Sequence, residues 1–260
     1  MHAPDSSRPA ELPRVAADVL ARLRARAPRV HCITNGVAQN FTANVLLAAG
    51  AVPSMTISPE EIAQFVTGAD ALLVNLGTFD RERREAVEIA VAAASQAGKR
   101  WVLDPVFVDR APKRAEFARM LMKKGPAALR LNQAEFSALS GARHDREVLT
   151  AYARAQSVVV ALSGQTDLVA DGARIVTISN GDSLMARVTA MGCAASALVA
   201  ACLAVEDDGW YACAAALLIL GVAGEIAAEQ AKGPGSFAAA ILDALFNLDS
   251  KALIERAKVS

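Results

Sequence analysis

Short apolar runs and amphipathic stretches take turns along this chain, and most of the apolar runs end on a polar or turn-forming residue. Val30 to Ile33 is a buried-strand pattern closed by Thr34-Asn35-Gly36. Ala71 to Asn75 (ALLVN) ends at Gly77, Arg100 to Leu103 at Asp104-Pro105, Ala128 to Leu131 at Asn132, and Ser157 to Leu162 at Ser163-Gly164. Leu168 to Ala170 and Arg174 to Ile178, divided by Asp171-Gly172, predict an antiparallel hairpin. Between the strands lie helical patterns. Val15 to Leu23 puts Leu20 and Leu23 on one face, Ala38 to Ala49 stops at Gly50, and Asp80 to Ala97 stops at Gly98. Ser58-Pro59-Glu60-Glu61 predicts a helix start with Ser58 as cap. From Gly192 onward the pattern is helical, interrupted at Asp207-Asp208-Gly209 and Gly233-Pro234-Gly235.

This alternation predicts an α/β protein with a central, mostly parallel β-sheet and helices on both faces. No linker and no repeat divides the chain, so residues 13–260 are expected to form a single domain behind a disordered tail at 1–12. In open α/β sheets ligands bind beyond the carboxyl ends of the strands. Asn35, Gly77, Asp104, Asn132 and Ser163 close those strands and are expected to converge on one crevice.

Composition narrows the partner. Hydrophobic residues make up 53% but aromatics only 5%, so the core has to be built from Ala, Val and Leu. The 27 basic and 27 acidic residues cancel, which leaves no field for nucleic acid or an anionic membrane and points to a small molecule. The four cysteines, Cys32, Cys193, Cys202 and Cys213, show no CxxC spacing, so free thiols in a reducing cytoplasm are expected rather than disulfides or zinc. The polar residues 1–14 contain no apolar secretory segment. The apolar run Ala212 to Ala223 is shorter than a membrane span and reads as a core helix.

Several residues carry chemistry. Val188 to Ser196 (VTAMGCAAS) is a small-residue turn opening a helix, where free N–H groups and the helix dipole can receive phosphate. Cys193 lies at that helix start, where a thiol pKa is lowered, or it is a cysteine at a tight packing point. Asp104 at a strand end can hold Mg²⁺, or can be a turn residue before Pro105. Asn132 and Glu135 can organise magnesium water or form a capping box. His31, inside its strand, reads as a hydrogen-bonded core histidine.

These motifs occur together in one order. His31-Cys32-Ile33-Thr34-Asn35 with Gln39-Asn40-Phe41-Thr42-Ala43-Asn44 resembles the opening signature of hydroxyethylthiazole kinases, a branch of the ribokinase-like kinases. Asn75-Leu76-Gly77-Thr78, Leu103-Asp104-Pro105-Val106, Arg130 to Glu135, Asn180-Gly181, Thr189 with Gly192-Cys193, and Gly233 to Phe237 follow in the family's order. The resemblance covers about Val30 to Leu248. It implies a ribokinase-like fold and transfer of a phosphoryl group from ATP, with Mg²⁺, to the primary hydroxyl of 4-methyl-5-(2-hydroxyethyl)thiazole. It further implies that Asn35, Met55, Gly77 and Ala190 contact the thiazole alcohol. Arg130, Asn132, Ser163 and Gly192 would serve the nucleotide, Asp104 and Glu135 the Mg²⁺, and Cys193 would lie beside the reacting hydroxyl. A homotrimer with active sites between subunits is also implied.

The chain departs from the family on the phosphate side. Ala190-Met191-Gly192 stands for Gly-small-Gly, Phe107 to Arg110 for a glycine-containing stretch, Arg130-Leu131-Asn132 for Arg-Gly-Asn, and Ser163-Gly164-Gln165 for Thr-Gly-Glu. The loop after Gly141 is also shorter than usual. The Cβ of Ala190 and the side chain of Met191 are expected to crowd the phosphate turn, unless Met191 points into the core and Ala190 keeps ordinary dihedrals. Two alternatives follow: a thiazole-binding homologue with weak or no catalysis, and a ribokinase-like kinase of another small alcohol such as a hydroxymethylpyrimidine.

Overall fold

The structure, a computed structural model, describes residues 8–260. Helix α1 (Arg8–Arg26) leads into strand β1 (Arg29–Ile33), then α2 (Gln39–Ala49), β2 (Val52–Ser54), α3 (Ile62–Gly68), β3 (Ala71–Asn75), α4 (Arg81–Gln96) and β4 (Arg100–Asp104). There follow α5 (Pro112–Met122), β5 (Ala128–Asn132), α6 (Gln133–Ser140), α7 (Arg146–Gln156) and β6 (Val159–Ser163). The hairpin β7 (Asp167–Ala170) and β8 (Ile175–Ile178) precedes a short 3₁₀ turn at Ser183–Arg187. The chain closes with α8 (Met191–Leu203), α9 (Gly209–Gln230), α10 (Pro234–Asn247) and α11 (Ser250–Arg256).

All eight strands form one sheet in the order β2-β1-β3-β4-β5-β6-β7-β8. Pairing is parallel from β2 through β6 and antiparallel at β6–β7 and β7–β8. The last residues return to the sheet: Ser260 and Thr177 exchange both backbone hydrogen bonds, extending the β8 edge.

Side chains alternate across the sheet, as strand pleating requires. Ala71, Val102, Ala128 and Ala161 face the core beneath α1, α2, α8, α9 and α10. Leu72, Leu103, Leu129 and Leu162 face the opposite core, beneath α3 to α7. The first face carries small and mid-sized side chains and no aromatic ring, so the alanine-rich α8 can lie close to it. α9, at 22 residues, is long and apolar enough to cross a membrane, yet 78% of its most apolar window is buried inside this fold. It is the central helix of the larger core.

Two boundaries differ from the pattern. The part of the expected tail that falls on described residues is helical: residues 8–12 open α1, with Leu12 fully buried, while residues 1–7 lie outside the described residues. The helix expected from Ser58 begins instead at Ile62, after a turn in which the Ser58 carbonyl accepts from the N–H groups of Glu61 and Ile62. The Glu61 carboxylate is engaged by the Thr56 hydroxyl, so the acidic pair does not cap a helix in its first turn. Strand β2, three residues around Pro53, has no alternation to announce it and is held by pairing with β1.

Candidate active site

Sheet register places the polar strand ends side by side. Asn75 pairs with Asp104 across β3 and β4, and Asn132 pairs with Ser163 across β5 and β6. α8 packs across β3 and β4, so its N-terminal turn, Ala190 to Cys193, arrives above Asp104. Its first N–H groups have no acceptor within the helix; Ala194 is the first to bond, to the Ala190 carbonyl.

Cys193 is held by two amides. The Asn35 Nδ2 donates to its Sγ at 3.5 Å and the Asn75 Nδ2 at 3.3 Å. Each amide is oriented by a backbone donor on its oxygen: Ala38 N–H to Asn35 Oδ1 and Gly77 N–H to Asn75 Oδ1, both at 3.0 Å. Gly77 is sterically required here. A Cβ at that position would lie 2.6 Å from Asn35 Nδ2 and 2.9 Å from Asn75 Oδ1. Of the two readings of this thiol, the helix-start one with a lowered pKa fails and the packed, buried one holds. Burial, reinforced by the charge of Asp104, pushes the thiol up to about 11, so it is neutral near pH 7. Desolvation outweighs the helix terminus and the two amides.

Asp104 is 1% exposed and is no turn cap. Its Oδ2 accepts from Asn75 Nδ2 at 2.7 Å and from the Ser196 hydroxyl at 2.8 Å. Burial raises this carboxyl to about 6; the charge of Arg130 opposes the rise and that of Glu135 adds to it. Glu135 and Asn132 form the capping box of α6, through Asn132 N–H to Glu135 Oε2 and Glu135 N–H to Asn132 Oδ1, both at 2.9 Å. The other oxygen of Glu135 accepts from the N–H of Phe107 at 3.0 Å. Phe107 stands where glycine was expected and takes the left-handed conformation glycine favours, at φ 63°.

Arg130 lies against the first turn of α8. A Cβ on Gly192 would come within 2.8 Å of its Nη1, and its buried Nε has no protein partner. A guanidinium facing free helix N–H groups is an anion-binding arrangement. Ala190 caps α8 at φ 69°, ψ −1°, a left-handed conformation rather than the ordinary one considered above, while Met191 does point into the core. The N–H groups are therefore presented despite the missing glycine. Ser163 sits at the end of β6 with its hydroxyl 3.4 Å from the Leu131 carbonyl. Met55 follows β2, half-buried against the larger core, on the Asn35 side of the crevice. His31 is fully buried, hydrogen-bonded to Ser54 Oγ and the Thr56 carbonyl, and burial lowers its pKa.

Asn75 and Ser196 belong to this cluster but not to the residues that sequence reasoning assigned. For Asn75 a signal existed: a polar residue ending an otherwise apolar strand, level with Asp104. Ser196 reads from sequence as one small residue within an apolar helix.

The profile of the hydroxyethylthiazole kinase family matches residues 20–251. The chain belongs to this family. A probable hydroxyethylthiazole kinase of Agrobacterium fabrum is 44% identical over 244 residues, 94% of each chain. The solved structure of a hydroxyethylthiazole kinase from Pyrococcus horikoshii OT3 superposes with a TM-score of 0.91 at 37% identity, covering 95% of this chain and 98% of that one. A ribokinase-like superfamily protein from Enterococcus faecalis V583 matches at TM-score 0.66 and 12% identity, over 90% of this chain and 93% of that one; this likeness concerns the fold alone. The α/β sheet with helices on both faces is thus the ribokinase-like one that the motifs implied.

Proposed function

We propose that this protein transfers the γ-phosphoryl group of ATP to the primary hydroxyl of 4-methyl-5-(2-hydroxyethyl)thiazole. The observation that carries the reading is the single constellation of Asp104, Cys193 and Arg130 around the N-terminal turn of α8. The family relationship supplies the chemistry of the substrate.

In this reading Asn35, Met55, Gly77 and Ala190 receive the thiazole alcohol and direct its hydroxyl to the turn beside Cys193. Arg130, Asn132, Ser163 and Gly192 receive the nucleotide. The oxygen–phosphorus bond to the alcohol forms as the bond to ADP breaks, and charge on the transferred group meets the α8 N–H groups and Arg130. In a loose transition state the hydroxyl need not be deprotonated early, which suits a neutral thiol as neighbour better than a base.

The donor set fits Mg²⁺. Among the described residues, no three His, Cys, Asp or Glu side chains gather around a point, so a cage of protein ligands is not what a cation would meet. Mg²⁺ is held by one or two carboxylates and retains waters. Asp104 would hold it, with Glu135 acting through water because both of its oxygens already accept backbone N–H groups. Bound there, Mg²⁺ would neutralise charge on the triphosphate. We further assign the protein to the cytoplasm, as a homotrimer with active sites between subunits, in keeping with the resemblance above; none of this involves nucleic acid or membrane. A coupled assay of ADP release across thiazole and pyrimidine alcohols tests the function. Turnover confined to the thiazole alcohol is expected, and no alcohol-dependent ADP release would overturn it.

A further inference from the structure

We propose that Asn75 is a positioning residue that locks the carboxylate and the thiol of the site into fixed roles, leaving Asp104 Oδ1 for the cation and the Cys193 S–H for the substrate oxygen. The proposal rests on the kinase reading above and goes beyond it to a residue which that reading does not use. Asn75 is 1% exposed, at the end of β3 and level with Asp104. The Gly77 N–H on Oδ1 decides which end of the amide is nitrogen. Both hydrogens on Nδ2 are then spoken for: one goes to Asp104 Oδ2 at 2.7 Å and one to Cys193 Sγ at 3.3 Å.

The consequence for each partner follows from counting donors and acceptors. Asp104 Oδ2 takes two donors, Asn75 and Ser196, while no described residue donates to Oδ1. The two oxygens are thus made unequal before any cation arrives. The thiol sulfur takes two N–H groups, from Asn35 and Asn75, so its lone pairs are engaged and its own hydrogen is what remains to turn toward the crevice. Cys193 then acts as a hydrogen-bond donor to the alcohol oxygen. One amide couples the two settings, because a rotation that releases the sulfur also releases the carboxylate.

The test compares Asn75→Ala with Ser196→Ala, using the Raman S–H stretch of ligand-free, metal-free protein and steady-state kinetics. The Cys193 band is isolated by subtracting the spectrum of Cys193→Ser. Asn75→Ala should shift that band and lower kcat by about 10- to 100-fold, the usual range for a residue that orients a ligand, with the thiazole-alcohol KM within about threefold. Ser196→Ala, which touches Asp104 but not the sulfur, should lower kcat without shifting the band. If Asn75→Ala does not fold, Asn75→Leu replaces it: close to the same size, uncharged beside Asp104, and without the two donors. An unmoved band, or a kcat within twofold of the unaltered protein, would overturn the proposal and leave Asn75 a strand-end residue. Because the band is read without ligand, absence of turnover in the unaltered protein would refute the kinase reading while the band still decides the roles of amide and thiol.

Discussion

Replacing Ala190 by glycine removes one methyl group at a position whose backbone already has the conformation glycine prefers, φ 69°, ψ −1°. An L-residue held there costs on the order of 1 kcal/mol, which glycine relieves. Glycine also frees the unfolded chain, which offsets roughly 0.4–1 kcal/mol of that gain. The net change in stability is then within about 1 kcal/mol, and the melting temperature should move by no more than about 4 °C. Catalysis should hardly change, because the α8 N–H groups are already aimed past Ala190 and the turn is anchored from behind by the buried Met191. We expect kcat within about threefold, or ~0.6 kcal/mol of barrier. Adding Met191→Thr should not raise kcat further but should lower the melting temperature by several degrees, since truncating a buried methionine costs roughly 2–4 kcal/mol. The coupled ADP assay and thermal melts of the single and double variants decide the matter. A kcat that rises tenfold or more in Ala190→Gly would show that the turn limits phosphoryl transfer, and the inference drawn from its dihedrals would fail.

Asp104→Asn should abolish turnover by about a thousandfold or more while leaving thiazole-alcohol affinity by calorimetry within about threefold; a normal rate at saturating Mg²⁺ would demote Asp104 to a structural residue. The same substitution should stabilise metal-free protein. The folded carboxyl, at about 6, lies above its unfolded value, so stability is lost as pH rises from about 4 to 6, and Asn removes that loss. Its melting temperature should therefore exceed that of the unaltered protein at pH 7.5 but not at pH 4, and equal melting at both values would contradict the burial argument. Cys193→Ala should slow kcat only about 10- to 100-fold, and the unaltered protein should show no thiol titration in kcat between pH 7 and 9, because the thiol stays protonated until about 11. Gly77→Ala should raise the thiazole-alcohol KM at least tenfold, since its Cβ would meet Asn35 and Asn75, both fixed by hydrogen bonds; an unchanged KM would place Gly77 outside the pocket.

The period of the hydrophobic pattern announced every strand from β3 to β8 because those runs are apolar and end in residues that prefer turns. It was silent on β2, whose three residues take their conformation from the neighbour β1 rather than from their own sequence. The candidate site was legible for a similar reason: strand-closing residues in a parallel sheet lie at the same end of it, so Asp104 closes β4 level with Asn75, which sequence reasoning did not assign, and Asn132 closes β5 level with Ser163. What sequence could not carry is the balance of two opposing effects at one atom. A cysteine in the first turn of a helix should ionise easily, and the sequence alone leaves that reading of Cys193 standing beside one of simple packing. The fold turns that same sulfur from α8 toward the strand ends, near the buried charge of Asp104, and desolvation wins. The same holds for Ala190. Its side chain argues against a left-handed turn, yet Ala190 adopts one, immediately before Met191 packs into the core at the start of α8. In both cases the local preference is worth about 1 kcal/mol, and the core that overrides it is built from residues far away in the chain. A glycine or an aspartate at such positions would state the chemistry openly; here the fold imposes it on residues that by themselves point elsewhere, which is why the dihedrals at Ala190 and the hydrogen bonds at Cys193 are better guides to this site than the departures of its sequence from the family pattern.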